Sequence, residues 1–198
     1  IEKYKLVGSY CDIFTTGMQK NWDKLIYLDL FAGAGFAKNE ETKIIYRNAA
    51  LLALSTPVPF SKYIFCEYDT EKLSALKTRV YREFPLRFDS CVFIEGDSNM
   101  NVNEIKEHIP KYSRESTMLS FCFVDPYSLN LNFETIKTLG KIQMDFLILQ
   151  ALPMDGRRNF ENYYMNDENE KIARYLGMKD WRKIFDENGL YKQNFMRF

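Results

Sequence analysis

The chain has 198 residues, 46% hydrophobic and 16% aromatic, enough for one domain with a substantial core. Lysine plus arginine and aspartate plus glutamate both number 27, so no global charge steers it to nucleic acid or to a membrane surface, and only a local basic groove stays open. There is no run of about 18 apolar residues to span a membrane, and four scattered cysteines with one histidine, His108, make no zinc pattern.

Taken in order, residues 2–18 place Tyr4, Leu6, Val7, Tyr10, Cys11, Ile13 and Phe14 at helical spacing, which predicts an amphipathic helix. The opening Ile1-Glu2-Lys3-Tyr4-Lys5 lacks a secretory pattern, and a cytoplasmic location is expected. Tyr27–Phe31 then reads as a buried parallel strand, carrying Asp29 near its end and running into Ala32-Gly33-Ala34-Gly35. A glycine turn of this kind lets backbone approach a ligand closely, and a helix normally follows it. Polar residues 38–43 interrupt that succession before Asn48–Ser55 resumes as helix and stops ahead of Pro57 and Pro59.

Lys62–Tyr68 is the second predicted strand, and Asp69-Thr70-Glu71 caps a helix to about Phe84 with Leu73, Leu76, Val80 and Tyr81 on one face. Its cations Lys72, Lys77, Arg79 and Arg82 are expected on the solvated side. Cys91–Ile94 is the third strand, followed by Glu95-Gly96-Asp97-Ser98-Asn99 and a helix near 102–109 that leaves His108 at a solvated end. Met118–Val124 is the fourth strand, Phe133–Leu139 a helix and Asp145–Gln150 the fifth strand. Beyond Pro153 the chain turns polar and aromatic, with helices expected at 168–175 and 181–188. Strands alternating with helices predict a Rossmann-like, doubly wound, mainly parallel α/β sheet. The expected layout is one domain over 1–198: an N-terminal helical segment (1–24), the core (25–153) and a helical C-terminal extension (154–198). Cys11, Cys66, Cys91 and Cys122 are expected as free, mostly buried thiols of a reducing compartment.

The glycine pattern narrows the ligand. A dinucleotide fingerprint needs a third glycine, and that position is Lys38 here. Asp29 in the loop approach would repel a pyrophosphate. It suits a ligand with a cationic end, such as the ammonium and sulfonium of S-adenosylmethionine. A nicotinamide-dependent dehydrogenase is disfavoured on both counts. In an open α/β sheet the ligand crosses the C-terminal strand ends, where four acids stand in succession: Asp29, Glu67, Asp97 and Asp125. One such acid is commonly a turn former or helix cap, but four in order ask for more. The expected cofactor set is Asp29 at the methionine end, with Phe31, Ala32, Gly33 and Gly35 as the loop. Glu67 goes on the ribose hydroxyls, and Asp97 at the adenine with Ser98 or Asn99 contributing.

Asp125-Pro126-Tyr127 adds reaction chemistry. Methylating an exocyclic amine needs an acceptor that grips the N–H and a planar group that holds the base in line. Asp125 and the Pro126 carbonyl are candidate acceptors, and Tyr127 the stacking platform. Arg157 and Arg158, after the fifth strand, are candidates for a local cationic edge against a polynucleotide substrate.

The ordered set DLFAGAG, CEYD, EGDSN and FVDPYS, over roughly residues 25–150, resembles the class I S-adenosylmethionine-dependent methyltransferases. Asp125-Pro126-Tyr127 is similar to the (D/N)PP(Y/F) motif of amino-methylating DNA and RNA enzymes but lacks the second proline. In that it is closer to the DPF-type motif of some tRNA guanine methylases. A narrower resemblance adds Glu2-Lys3-Tyr4-Lys5, NAALLAL and the arginine-bearing segment after strand five. On these residues the chain looks like the three-Cys-motif partner (TcmP) proteins. That resemblance implies a methyltransferase-like protein acting beside a nuclease-like partner in defence against foreign DNA. The alternative to an active enzyme is a methyltransferase-like module that binds cofactor or partner without turnover. Class I sheets usually gain two strands after the fifth, and none is read before Phe198.

Overall fold

The computed structural model describes residues 2–150, 158–159 and 161–186. These fall into two compact units, one of residues 2–124 with 142–147, the other of 125–141 with the described residues from 148 onward. The first unit is built on a sheet of order β5-β4-β1-β6-β7, with β1 at Lys24–Asp29, β4 at Lys62–Glu67, β5 at Cys91–Glu95, β6 at Met118–Val124 and β7 at Met144–Ile148. The pairs β1–β4, β1–β6 and β4–β5 are parallel, with Asp29 opposite both Phe65 and Phe123 and Glu67 opposite Glu95. On the outer side of β6, the Ser120 N–H donates to the Gln143 carbonyl at 2.9 Å. The chain steps outward from β1 to β5, then returns to the other side of β1. That reversal of strand order about β1 is the arrangement of a Rossmann-like, doubly wound fold.

α1 (Glu2–Met18) follows the predicted bounds and buries Val7, Cys11, Phe14 and Thr15 as one stripe. Tyr10 and Phe14 lie 4.7 and 5.5 Å from the ring of Phe121 in β6, and Phe14 lies 5.8 Å from Phe60. Tyr27 stands at the centre of the same aromatic layer, 5.4 Å from Phe60, 6.1 Å from Phe65 and 5.8 Å from Phe121. α1 thus covers the face of β1 that Tyr27 presents.

Three local differences from expectation bear on the site. β1 begins at Lys24 and ends at Asp29 rather than running 27–31, because the Asp29 Oδ1 accepts from the Phe31 N–H at 3.1 Å and turns the chain. The polar stretch after Gly35 is the loop of a hairpin, β2 (Phe36–Lys38) against β3 (Ile45–Arg47), whose short strands carry no readable period. α2 (Ala49–Ala53) starts only after that hairpin, capped by Asn48. α3 (Thr70–Glu83) matches its prediction, with Asp69 Oδ1 accepting from the Glu71 and Lys72 N–H groups. Leu73, Leu76 and Val80 are buried, but Tyr81 is exposed and leans on Phe88 instead. α4 (Val102–His108) ends on His108 as expected, and the His108 carbonyl accepts from Lys62 Nζ at 2.8 Å.

In the second unit, α5 (Phe133–Leu139) has its predicted bounds. The later helices run Lys171–Leu176 and Trp181–Asp186; the first starts three residues later than expected, and the second starts at Trp181 as expected. A left-handed Gly177 ends the first of them against Phe133, where a Cβ would come within 2.4 Å of the ring. The Arg182 guanidinium donates to the Tyr163 and Asn166 carbonyls at 3.0 and 2.7 Å. Among the described residues no helix is long and apolar enough to cross a membrane.

Candidate functional site

The glycine loop joins β1 to the hairpin and is held from three directions. From β4, the Cys66 carbonyl accepts the Ala32 N–H at 2.9 Å, and the Glu67 Oε2 accepts the Gly33 N–H at 2.7 Å. From α2, Asn48 donates through Nδ2 to the Ala32 carbonyl at 2.7 Å and through its backbone N–H to the Gly35 carbonyl at 2.9 Å. From α3, Arg79 donates to the Ala34 carbonyl and lays its guanidinium over the Phe36 ring. Arg79 is therefore not a solvated cation, as the sequence suggested; the distance from Ala34 in the chain hid the pairing. Gly33 and Gly35 both have positive φ, +62° and +89°. A Cβ at Gly35 would lie 3.1 Å from Leu76 and 3.2 Å from Leu51, so this glycine also permits close packing of loop on helices.

Glu67 is placed as a bridge. Its Oε1 accepts the Asp69 N–H at 3.0 Å while Oε2 holds Gly33. Each oxygen keeps a second lone pair for an outside donor. The neighbouring strand end is locked to it, since the Gly96 N–H donates to the Glu67 carbonyl at 2.9 Å. Gly96 has φ +117°, and a Cβ there would collide with the Asn101 amide at 2.9 Å. Asp97 then forms a tight turn, its Oδ1 accepting from the backbone and side-chain N–H groups of Asn99 at 2.8 and 2.9 Å. Ser98 is 2% exposed, and its Oγ is buried without a hydrogen-bond partner. A buried hydroxyl left unpaired is costly.

Asp29 is 1% exposed, and besides the Phe31 N–H it accepts the Tyr27 hydroxyl at 3.2 Å through Oδ2. Residues two apart on a strand share a face, so Asp29 lies on the same face of β1 as Tyr27. Its field reaches nearby thiols. Burial first, and Asp29 second, push the Cys11 thiol up to about 12. Burial and Asp29 likewise hold Cys122 well above an ordinary thiol. Burial raises Cys66 and Cys91 to about 12 as well. All four cysteines are free, three of them fully buried, and no group of metal-ligating side chains occurs among the described residues.

Phe31 is half-buried and Ala32 buried at the loop's root. Asp125 is the next residue in the chain after β6; it is half-buried, Pro126 is buried, and the Tyr127 ring is 86% exposed. Ser128 follows with φ +61° and its Oγ accepts from Lys171 Nζ at 3.2 Å, which fixes the turn that presents Tyr127. Arg158 is exposed; Arg157 lies outside the described residues. Asn48 and Arg79 are the loop residues that sequence reasoning did not assign. The signal for Asn48 was the N-cap at the start of NAALLAL; Arg79 gave none.

No protein-family model and no curated protein matches the chain. Among solved structures it is similar to a conserved hypothetical protein of Streptococcus pyogenes, with TM-score 0.40 and 14% identity, covering 67% of this chain and 68% of that one.

Proposed function

We propose that the chain is an S-adenosylmethionine-dependent methyltransferase acting on an exocyclic amine of a nucleobase. One observation carries the choice of cofactor: the first glycine's N–H donates to the carboxylate of Glu67, at 2.7 Å. In a phosphate-binding loop that donor would face the phosphate. Here a carboxylate occupies it, and two unit charges about 4 Å apart at intermediate dielectric repel by roughly 4 kcal/mol. A pyrophosphate is disfavoured, and a ligand with neutral hydroxyls and a cationic centre is favoured.

The residues suit that group. Glu67 has one lone pair left on each oxygen for a ribose diol, Gly33 and Gly35 open the approach, and the orphaned Ser98 hydroxyl with Asp97 supplies polar atoms for a base edge. When bound, S-adenosylmethionine supplies an electrophilic methyl on a sulfonium. The chain's own part in transfer falls to Asp125 and the Pro126 carbonyl, which would accept the amine N–H, and to the exposed Tyr127 ring, on which a base would stack. A polynucleotide would further need cations near the reacting groups, for which Arg157 and Arg158 are the candidates. A partner protein, as the TcmP resemblance implies, belongs to the same proposal.

The test has two arms. Calorimetric titration with S-adenosylmethionine and with NAD should show binding of the first alone; binding of NAD alone overturns the cofactor. Incubation with methyl-labelled cofactor and pools of DNA, tRNA, rRNA and protein should then label a nucleic acid. Binding without transfer into any pool would make the chain a cofactor-holding module.

A further inference from the structure

The glycine loop and the helix that normally follows it are separated here by the β2–β3 hairpin, so something other than the peptide chain must hold them together. A single residue stands at the closure. The Asn48 N–H donates to the Gly35 carbonyl at 2.9 Å, and its Nδ2 donates to the Ala32 carbonyl at 2.7 Å. Both ends of the Ala32–Gly35 loop are therefore tied to one side chain and its own backbone. Asn48 is buried, and a Cβ on Gly33 would already lie 3.2 Å from its Nδ2. The amide plane thus forms the floor beneath the loop. On its other side the Oδ1 accepts from the Leu51 N–H at 3.5 Å, a long bond for a helix cap. Of the two hydrogen bonds its side chain makes, the short one points at the loop and the long one at the helix, while the Asn48 carbonyl accepts the Leu52 N–H at 3.0 Å.

We infer that Asn48 is a positioning residue whose amide donor locks the glycine loop in its ligand-ready form, the capping of α2 being secondary. This rests on the cofactor assignment above for its effect on affinity, but not for its effect on the loop. Asn48→Asp separates the two roles. Aspartate is as good an N-cap as asparagine, yet it cannot donate to the Ala32 carbonyl and sets oxygen against oxygen there. Asn48→Ser keeps a capping hydroxyl and removes the amide without adding charge.

Amide hydrogen exchange in the ligand-free protein reads the loop directly. Both variants should speed exchange over residues 30–36 by roughly tenfold while leaving β4 and β6 protected, as expected for a local opening made easier by one lost hydrogen bond. Affinity for S-adenosylmethionine, measured by calorimetry, should fall by roughly tenfold or more with the same variants. Unchanged exchange at 30–36, or acceleration spread evenly over the whole chain, would overturn the positioning role and leave only a helix cap. If the wild-type chain binds no S-adenosylmethionine but the loop still loosens selectively, the positioning role stands and the cofactor assignment falls.

Discussion

The Tyr27 hydroxyl donates to the Asp29 carboxylate at 3.2 Å, and both side chains are buried on one face of β1. That bond joins the aromatic core to the root of the glycine loop, because the other oxygen of Asp29 holds the Phe31 N–H at 3.1 Å. Tyr27→Phe removes only the hydroxyl and takes one donor away from a buried carboxylate. The expected loss is about 1–3 kcal/mol of folding stability, read from urea denaturation. A variant as stable as the parent would show that Asp29 does not depend on Tyr27.

Stability should also fall as the solution becomes alkaline. Cys11, Cys66 and Cys91 sit at about 12 in the folded chain, against a starting value of 9.0. A folded pKa above the unfolded one means the folded thiols hold their protons more tightly. Their contribution is complete well below pH 9 and is lost as pH climbs from there toward 12, approaching about 1.4 kcal/mol per pH unit for each thiol. Urea midpoints at pH 7.5, 9 and 10 should fall a little over the first step and more steeply over the second. At pH 8 the native thiols should also resist a maleimide that labels the unfolded chain quickly.

Glu67→Ala should weaken S-adenosylmethionine binding by about 10- to 100-fold, the equivalent of roughly 1.5–3 kcal/mol of charge-assisted hydrogen bonding. Part of that loss is indirect, since the Gly33 N–H is freed at the same time. Glu67→Gln separates the parts: its carbonyl oxygen can still accept from Gly33 but cannot serve both backbone donors and a diol. An affinity unchanged in both variants would remove Glu67 from the site.

Much of this arrangement is legible in the residues. The long elements carry their own period and caps, so α1, β6 and α5 fall where the sequence puts them, and Asp69 announces α3 by its side chain. The β2–β3 hairpin was hidden because three-residue strands are too short to show alternation, and its Ile44 and Ile45 remain exposed. The direction of Asp29 could have been read. Tyr27 and Asp29 share a face by the two-residue period, and a helix as apolar as residues 2–18 must cover one face of the first strand. The reach of Arg79 to the Ala34 carbonyl could not, since it joins residues far apart in the chain through a backbone group that carries no sequence mark.

Gly35→Ala should damage the fold and the loop together. At φ +89° an alanine is strained, and its Cβ would press on Leu76 and Leu51 at 3.1 and 3.2 Å. Both neighbours are buried, so relief requires moving α2 or α3. A fall of about 1–3 kcal/mol in stability is expected, by the usual cost of forcing extra atoms into a packed core. Gly33→Ala meets only the Asn48 amide, at 3.2 Å, and should cost less stability while weakening the cofactor more. The reverse ranking in denaturation and calorimetry would mean that Gly35, not Gly33, faces the ligand.

Asp125 and Tyr127 should behave unlike the loop residues. Tyr127 is 86% exposed, so its ring supports nothing in the folded core that its removal would disturb. Tyr127→Ala is expected to leave melting temperature and cofactor affinity unchanged while lowering methyl transfer. Loss of a base-stacking platform is worth about 1–3 kcal/mol per base, or roughly 5- to 150-fold in transfer efficiency. Tyr127→Phe keeps the platform and should retain most of the activity. Asp125→Ala should keep cofactor affinity and lose turnover, since its proposed task is to grip the amine being methylated. The decisive comparison is therefore between the two tyrosine variants on the substrate that the labelled pools reveal. Equal loss in Tyr127→Phe and Tyr127→Ala would assign the work to the hydroxyl and remove the stacking role.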